Sequence, residues 1–140
     1  ASNILSTMIA LHSTPTDMML YYDFRYWSSY CGAVNPINFQ PFKAYYAFYT
    51  FGQLYALGKC VECSCDTGDV FALAATDGEK KALVIVNHFN TQDVTVNVTA
   101  MGAEAAKKIC IVDENRDFAE IEGAPAELLV PANAIVYIEY

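Results

Sequence analysis

Three cysteines fall close together as Cys60-x-x-Cys63-x-Cys65, and thiols at such spacing are the groups that hold zinc or exchange disulfides. Zinc needs a fourth ligand and a loop that folds the sulfurs into a tetrahedron. The run Lys59-Cys-Val-Glu-Cys-Ser-Cys65 reads instead as a strand, with Cys63 and Cys65 on one face and Cys60 on the other. With Cys31 and Cys110 the chain has five cysteines, an odd number that fits reduced, buried or half-buried thiols better than a complete disulfide framework. Reduced thiols weigh toward a compartment such as the cytoplasm. The run Asp113-Glu-Asn-Arg-Asp117 could offer oxygens to Ca²⁺, but one charged run supplies too few in a defined arrangement, and a solvated turn is expected. His12 and His88 are solitary, with no ligand set or triad around either. Asn97-Val-Thr99 matches a glycosylation acceptor, a three-residue pattern frequent by chance. No metal and no cofactor is expected.

The elements that must position these residues belong to two unlike halves. Fourteen of nineteen aromatic residues lie between Tyr21 and Tyr55. Residues 1–58 carry only Asp17, Asp23, Arg25 and Lys43 as charges, whereas residues 59–140 hold fourteen acids against six bases, so the net charge of −8 belongs to the second half. A soluble surface carries charge at roughly a quarter to a third of its positions. The front half is therefore expected to be covered by other protein. The acidic balance disfavours nucleic acid and anionic membrane as partners, since both require clustered Lys and Arg. No apolar run approaches the roughly 20 residues that span a bilayer, and no basic region leads into an apolar one at the N-terminus.

Residues 2–13 place Ile4, Leu5, Met8, Ile9 and Leu11 at helical spacing, with Ser2 as N-cap. Pro15 breaks this helix. Met18-Met-Leu-Tyr-Tyr22 reads as a strand buried on both faces, and Asp23 to Gln40 as a long loop. Pro41 starts a second helix and Gly58 follows its end. That helix is apolar except for a stripe of Lys43, Thr50 and Gln53, so burial on more than one side is expected. Seven short β-rich runs follow: 59–66, 70–76, 81–89, 94–99, 108–112, 127–130 and 134–140. Asp77-Gly78 joins the second and third of them as a hairpin. Alternation of Val94, Val96 and Val98 with Thr95, Asn97 and Thr99 supports an antiparallel sandwich.

The order helix, strand, loop, helix, sandwich carries a resemblance. Thr16-Asp-Met-Met-Leu-Tyr-Tyr-Asp-Phe-Arg25, Pro41-Phe-Lys-Ala-Tyr-Tyr-Ala-Phe48, Val70-Phe-Ala-Leu-Ala-Ala-Thr-Asp77 and Ala82-Leu-Val-Ile-Val-Asn87 are similar to the C-terminal end of retaining clan A glycoside hydrolases. Among these the chain most resembles the β-xylosidase and α-L-arabinofuranosidase group, although it has Pro41-Phe-Lys43 where that group has Lys-Pro. The resemblance implies a mainly β fold: an antiparallel β-sandwich accessory domain, residues 59–140, preceded in residues 1–58 by the last strand and helices of an incomplete (β/α)₈ barrel. It also implies that the catalytic glutamates, at the ends of the fourth and seventh barrel strands, lie outside this chain, so that no catalytic residue is expected within it.

Active-site groups of such barrels gather at the C-terminal ends of the strands. That singles out Tyr22, Asp23, Arg25 and Trp27 as substrate-binding candidates, because aromatic faces stack on sugar rings while carboxylate and guanidinium groups bond hydroxyls. The alternative is that Tyr22 and Trp27 pack under the loop and Asp23 pairs with Arg25. The expected partners are the remainder of the barrel and, through it, carbohydrate, with self-association through the aromatic front half. A carbohydrate-binding module and a self-associating interaction domain are the competing functions. Against the module, residues 59–140 contain no Trp and only Tyr137 and Tyr140 as tyrosines.

Overall fold

A computed structural model describes residues 1–25, 32–89, 91–99 and 106–140. Among the described residues two α-helices, α1 (Ser2–His12) and α2 (Lys43–Leu57), precede eight strands. These are β1 (Lys59–Val61), β2 (Val70–Thr76), β3 (Lys81–Asn87), β4 (Val94–Val96), β5 (Lys108–Val112), β6 (Asp117–Glu120), β7 (Leu128–Val130) and β8 (Ile135–Glu139). Six strands form one sheet in the order β1-β2-β3-β8-β5-β6, and β4 pairs with β7 in a second, small sheet. Every pairing among the described strands is antiparallel. The chain is thus mainly antiparallel β with two helices, and the sheets form a sandwich of unequal halves.

The larger sheet is the middle layer. Alternate residues of its strands face opposite ways, and both faces are apolar. Ala75, Val84, Val86, Cys110, Val112, Ile135 and Tyr137 face α1 and α2, meeting Leu5, Ile9, Ala47 and Leu54. Ala74, Leu83, Ile85, Ile109, Ile111, Val136 and Ile138 face the small sheet, meeting Leu128 and Val130. A fully buried Ile or Leu side chain contributes about 1.5–3 kcal/mol, and an exposed ion pair at most about 1 kcal/mol. The Lys43–Asp117 pair joining α2 to β6 is solvent-accessible at 2.5 Å, so apolar packing, led by Leu54 and Ala47, holds the helix on the sheet.

Several expectations are corrected. Residues 18–22 form no strand, and Met18, Leu20 and Tyr22 are 73%, 84% and 76% exposed. A strand requires an edge with which to exchange hydrogen bonds, and no described strand pairs with this segment. Instead it leaves Tyr21 edge-on to Phe48 of α2, with ring centroids 5.0 Å apart. Ser2 is the first residue of α1, after Ala1 as N-cap, rather than the cap itself. Pro41 precedes α2 and forms an isolated bridge with Val34, and Phe42 is the N-cap. Helix α2 is fully buried along one stripe, Ala47, Thr50 and Leu54, while Tyr45 and Phe48 away from that stripe are half-buried against Tyr21 and Phe24. Thr50 of the expected polar stripe is fully buried, its hydroxyl donating to the Tyr46 carbonyl at 2.6 Å, while Tyr55 is 81% exposed.

The cysteine strand ends at Val61, so Cys63 and Cys65 lie in an unpaired connection and, with Cys60, are exposed rather than buried. Cys110 is buried as expected. Strand β6 was not foreseen, because Asp117-Phe-Ala-Glu120 is too short and polar to signal itself. Its pairing with β5 creates it, through a register shift at Ile111 and Val112. Between them Asp113 makes the expected turn, accepting from the backbone of Asn115 and Arg116 and pairing with the Arg116 guanidinium.

Candidate functional site

Helix α2 supplies the platform on which the sequence-derived site residues sit. Its Tyr45, Phe48 and Tyr49 line one face at helical spacing, and Phe24 packs edge-on to Phe48 at 5.4 Å and tilted to Tyr45 at 6.5 Å. Tyr45 stacks on Tyr49 at 6.1 Å, Tyr49 meets Phe118 of β6 at 5.0 Å, and Phe118 meets Tyr137 of β8 at 5.6 Å. Aromatic contacts therefore run without interruption from the 21–24 segment to the central sheet. Sequence reading found the aromatic residues of α2 but not their relay through Phe118, since β6 was missed.

On this platform Tyr22, Asp23 and Arg25 come together. Asp23 is 7% exposed. Its Oδ1 accepts from the Arg25 backbone N–H at 3.0 Å, and its Oδ2 accepts from Arg25 Nε at 3.0 Å and Nη2 at 2.6 Å. Arg25 Nη2 also donates to the Tyr22 hydroxyl at 3.4 Å, and the guanidinium carbon stands 5.9 Å from the Tyr22 ring centroid. The Asp23 hydrogen bond and charge hold the Arg25 pKa above its usual value. The Tyr22–Asp23 peptide is cis. Trp27, the fourth predicted residue, lies outside the described residues, as does Cys31. The result is a fixed ion pair whose cationic half and aromatic neighbour face solvent, an arrangement that can present hydrogen-bond donors and a ring edge to a polyhydroxylated ligand.

The remaining candidates are dispersed. Among the described residues no group of three or more His, Cys, Asp or Glu is placed to hold a metal ion. His12 is exposed at the mouth of a cleft of about 420 Å³ between α2 and β1–β2. His88 is buried, its ring 4.0 Å from that of Phe89 and its Nε2 3.4 Å from the Asn3 amide nitrogen. A second cleft, of about 410 Å³, has an apolar floor that includes Ala72, Leu83 and Ile85, with walls from residues 62–67 and 94–99. Asn97 and Thr99 are exposed on its rim, while Val94, Val96 and Val98 turn into the core as their alternation predicts. The opposite wall of that cleft was invisible in sequence because nothing local pairs residues 62–67 with β4. No described helix is long and apolar enough to cross a membrane.

No protein-family model matches the sequence, and no curated protein does. Solved structures share its fold. A glycoside hydrolase family 30 subfamily 8 xylanase from Clostridium acetobutylicum superposes with a TM-score of 0.59 at 17% identity, over 77% of this chain and 30% of that one. A family 30 endoxylanase from Clostridium papyrosolvens gives 0.55 at 21% identity, over 71% of this chain and 28% of that one. A family 44 endoglucanase from Clostridium acetobutylium gives 0.50 at 16% identity, over 69% of this chain and 22% of that one. The chain spans no more than 30% of the length of any of the three. What is shared at these identities is the fold, one that occurs within glycoside hydrolases.

Proposed function

We propose that this chain is the noncatalytic C-terminal portion of a glycoside hydrolase, in which the sandwich braces a (β/α)₈ barrel and residues 1–58 contribute the closing segment of that barrel. The observation that carries the reading is the fold shared with two xylanases over 77% and 71% of this chain but only 30% and 28% of theirs. The exposed apolar side chains of residues 18–22 and of α2 support it, since surface of that kind normally packs against other protein. In this reading residues 1–58 belong to the barrel and residues 59–140 form the accessory unit. The motifs quoted above favour the retaining β-xylosidase and α-L-arabinofuranosidase group. Tyr22, Asp23, Arg25 and Trp27 would then form one wall of its sugar site.

Retaining hydrolysis uses two carboxyl groups about 5–5.5 Å apart. In residues 1–58 the only acids are Asp17 and Asp23, and Asp23 is tied to Arg25. The isolated chain is therefore expected to leave xylan and arabinan oligosaccharides uncleaved, and glycosidase activity from it would defeat the reading. Calorimetric titration with the same oligosaccharides separates this role from a carbohydrate-binding module, which binds without a barrel. Tyr137 and Tyr140 are only 6% and 3% exposed, so the tyrosines of residues 59–140 offer no stacking platform, and no binding is expected.

A further inference from the structure

We propose that Cys63 and Cys65 form a reversible dithiol pair, a modification site that a small-molecule disulfide such as glutathione disulfide converts to an intramolecular disulfide at the lip of the cleft facing β4. Three observations carry it. Cys60, Cys63 and Cys65 are all exposed, whereas Cys110 is buried in the core between the helices and the central sheet. Cys63 and Cys65 line the same cleft, while Cys60 lines the other one beside α2 and is held opposite Ala75 in the β1–β2 ladder. The connection between Val61 and Val70 belongs to no strand or helix, so no backbone ladder resists a local bend.

Reach selects the pair. Two residues of extended chain span at most about 7 Å, and a disulfide takes Cα separations of about 4.4–6.8 Å, so Cys63 and Cys65 close with a small adjustment of Ser64. Cys60 is held in the β1–β2 ladder and lines the other cleft, so it would have to leave that position to meet Cys63. The Cys65 sulfur lies 3.8 Å from the Thr67 hydroxyl, a weak contact that is easily given up.

The exchange is balanced. A thiolate attacks the oxidant disulfide and releases one glutathione thiol, leaving a mixed disulfide. The second cysteine then attacks the protein sulfur of that bond, displacing the second glutathione thiol as the Cys63–Cys65 bond forms. The two protons given up by the protein end on the two glutathione thiols, and the oxidant is reduced by two electrons. Whichever of the two exposed thiols reacts first, the other lies two residues away on the same cleft, so its attack on the mixed disulfide is intramolecular and its target sulfur is held close.

The test is to incubate the reduced, folded chain with glutathione disulfide and map its peptides without reduction by mass spectrometry. In the wild-type chain Cys63 and Cys65 are expected to lose two hydrogens between them through a Cys63–Cys65 link, with exposed Cys60 free to carry a glutathione and Cys110 unmodified. Cys60→Ser should form the same Cys63–Cys65 link. Cys63→Ser should instead retain one glutathione on Cys65 and form no link. The proposal is overturned if the wild-type link contains Cys60, if the wild type accumulates the same stable glutathione adduct as Cys63→Ser, or if neither cysteine reacts until the chain is unfolded.

Discussion

Asn87, at the end of β3, is fully buried, and its amide nitrogen lies 3.0–3.1 Å from the carbonyl oxygens of Gln92, Val130 and Pro131. It is the polar tie between the central sheet and the loop where β7 ends. Leaving a buried acceptor unmet costs about 1–3 kcal/mol, so Asn87→Ala is expected to lower stability by about 2–3 kcal/mol in urea denaturation. Asn87→Asp should cost at least as much, because a carboxylate would face the same three oxygens. An Asn87→Ala variant as stable as the wild type would show that water satisfies these carbonyls instead. Asp113 yields a pH-dependent prediction. Burial raises its pKa, but the Arg116 ion pair and the Asn115 and Arg116 backbone donors outweigh that and hold it below the usual 3.8. A depressed folded pKa contributes stability above the unfolded value that is lost as pH falls through the folded one. Wild type should therefore be more stable than Asp113→Asn at neutral pH. The gap should narrow below about pH 3.8, and a gap independent of pH between 2 and 6 would refute the assignment. Tyr137, pushed up to about 12 chiefly by burial, stays neutral throughout that range.

At the scale of elements, the end of α2 tests whether backbone geometry or packing sets its boundary. Gly58 is left-handed at φ 80°, its N–H donates to the Tyr55 carbonyl at 3.0 Å, and a Cβ added there would meet nothing within 4 Å. The whole penalty of Gly58→Ala is thus conformational, about 1–2 kcal/mol, and Gly58→Asn should cost less because Asn tolerates this region. Equal losses for Ala and Asn in thermal melts would point to a hidden steric clash. The N-terminal end of α2 lacks a side-chain cap and carries Lys43, which the helix dipole disfavours. Lys43 pairs with Asp117 and donates to the Arg116 carbonyl at 2.9 Å, so the β5–β6 turn offsets that local mismatch.

Across the whole molecule, the apolar surface has two fates. The central sheet is covered on both faces, but Leu20, Tyr22, Ile37, Phe39 and Tyr55 remain at 66–88% exposure. Patches of this kind drive association, so the elution volume of the isolated chain is expected to fall with rising concentration, and Leu20→Lys with Tyr55→Lys should weaken the effect. A concentration-independent monomer would count against it. The runs 70–76 and 108–112 were legible residue for residue as β2 and β5, and β3 and β8 nearly so, because β-branched and apolar residues continuous over strand length need both faces covered whatever the partner. Helix α1 and the Gly58 stop were equally plain from spacing and backbone freedom. Residues 18–22 show the limit of that logic. Their composition suits a buried strand, but a strand exists only where another edge supplies its hydrogen bonds. The same dependence created β6 from a weak segment and ended the cysteine run at Val61, leaving its thiols outside. In the candidate site, residue types alone marked Tyr22, Asp23 and Arg25. That Asp23 is closed on Arg25, and that an aromatic relay through Phe118 supports them, was decided by pairings between residues far apart in the chain, which no local pattern encodes.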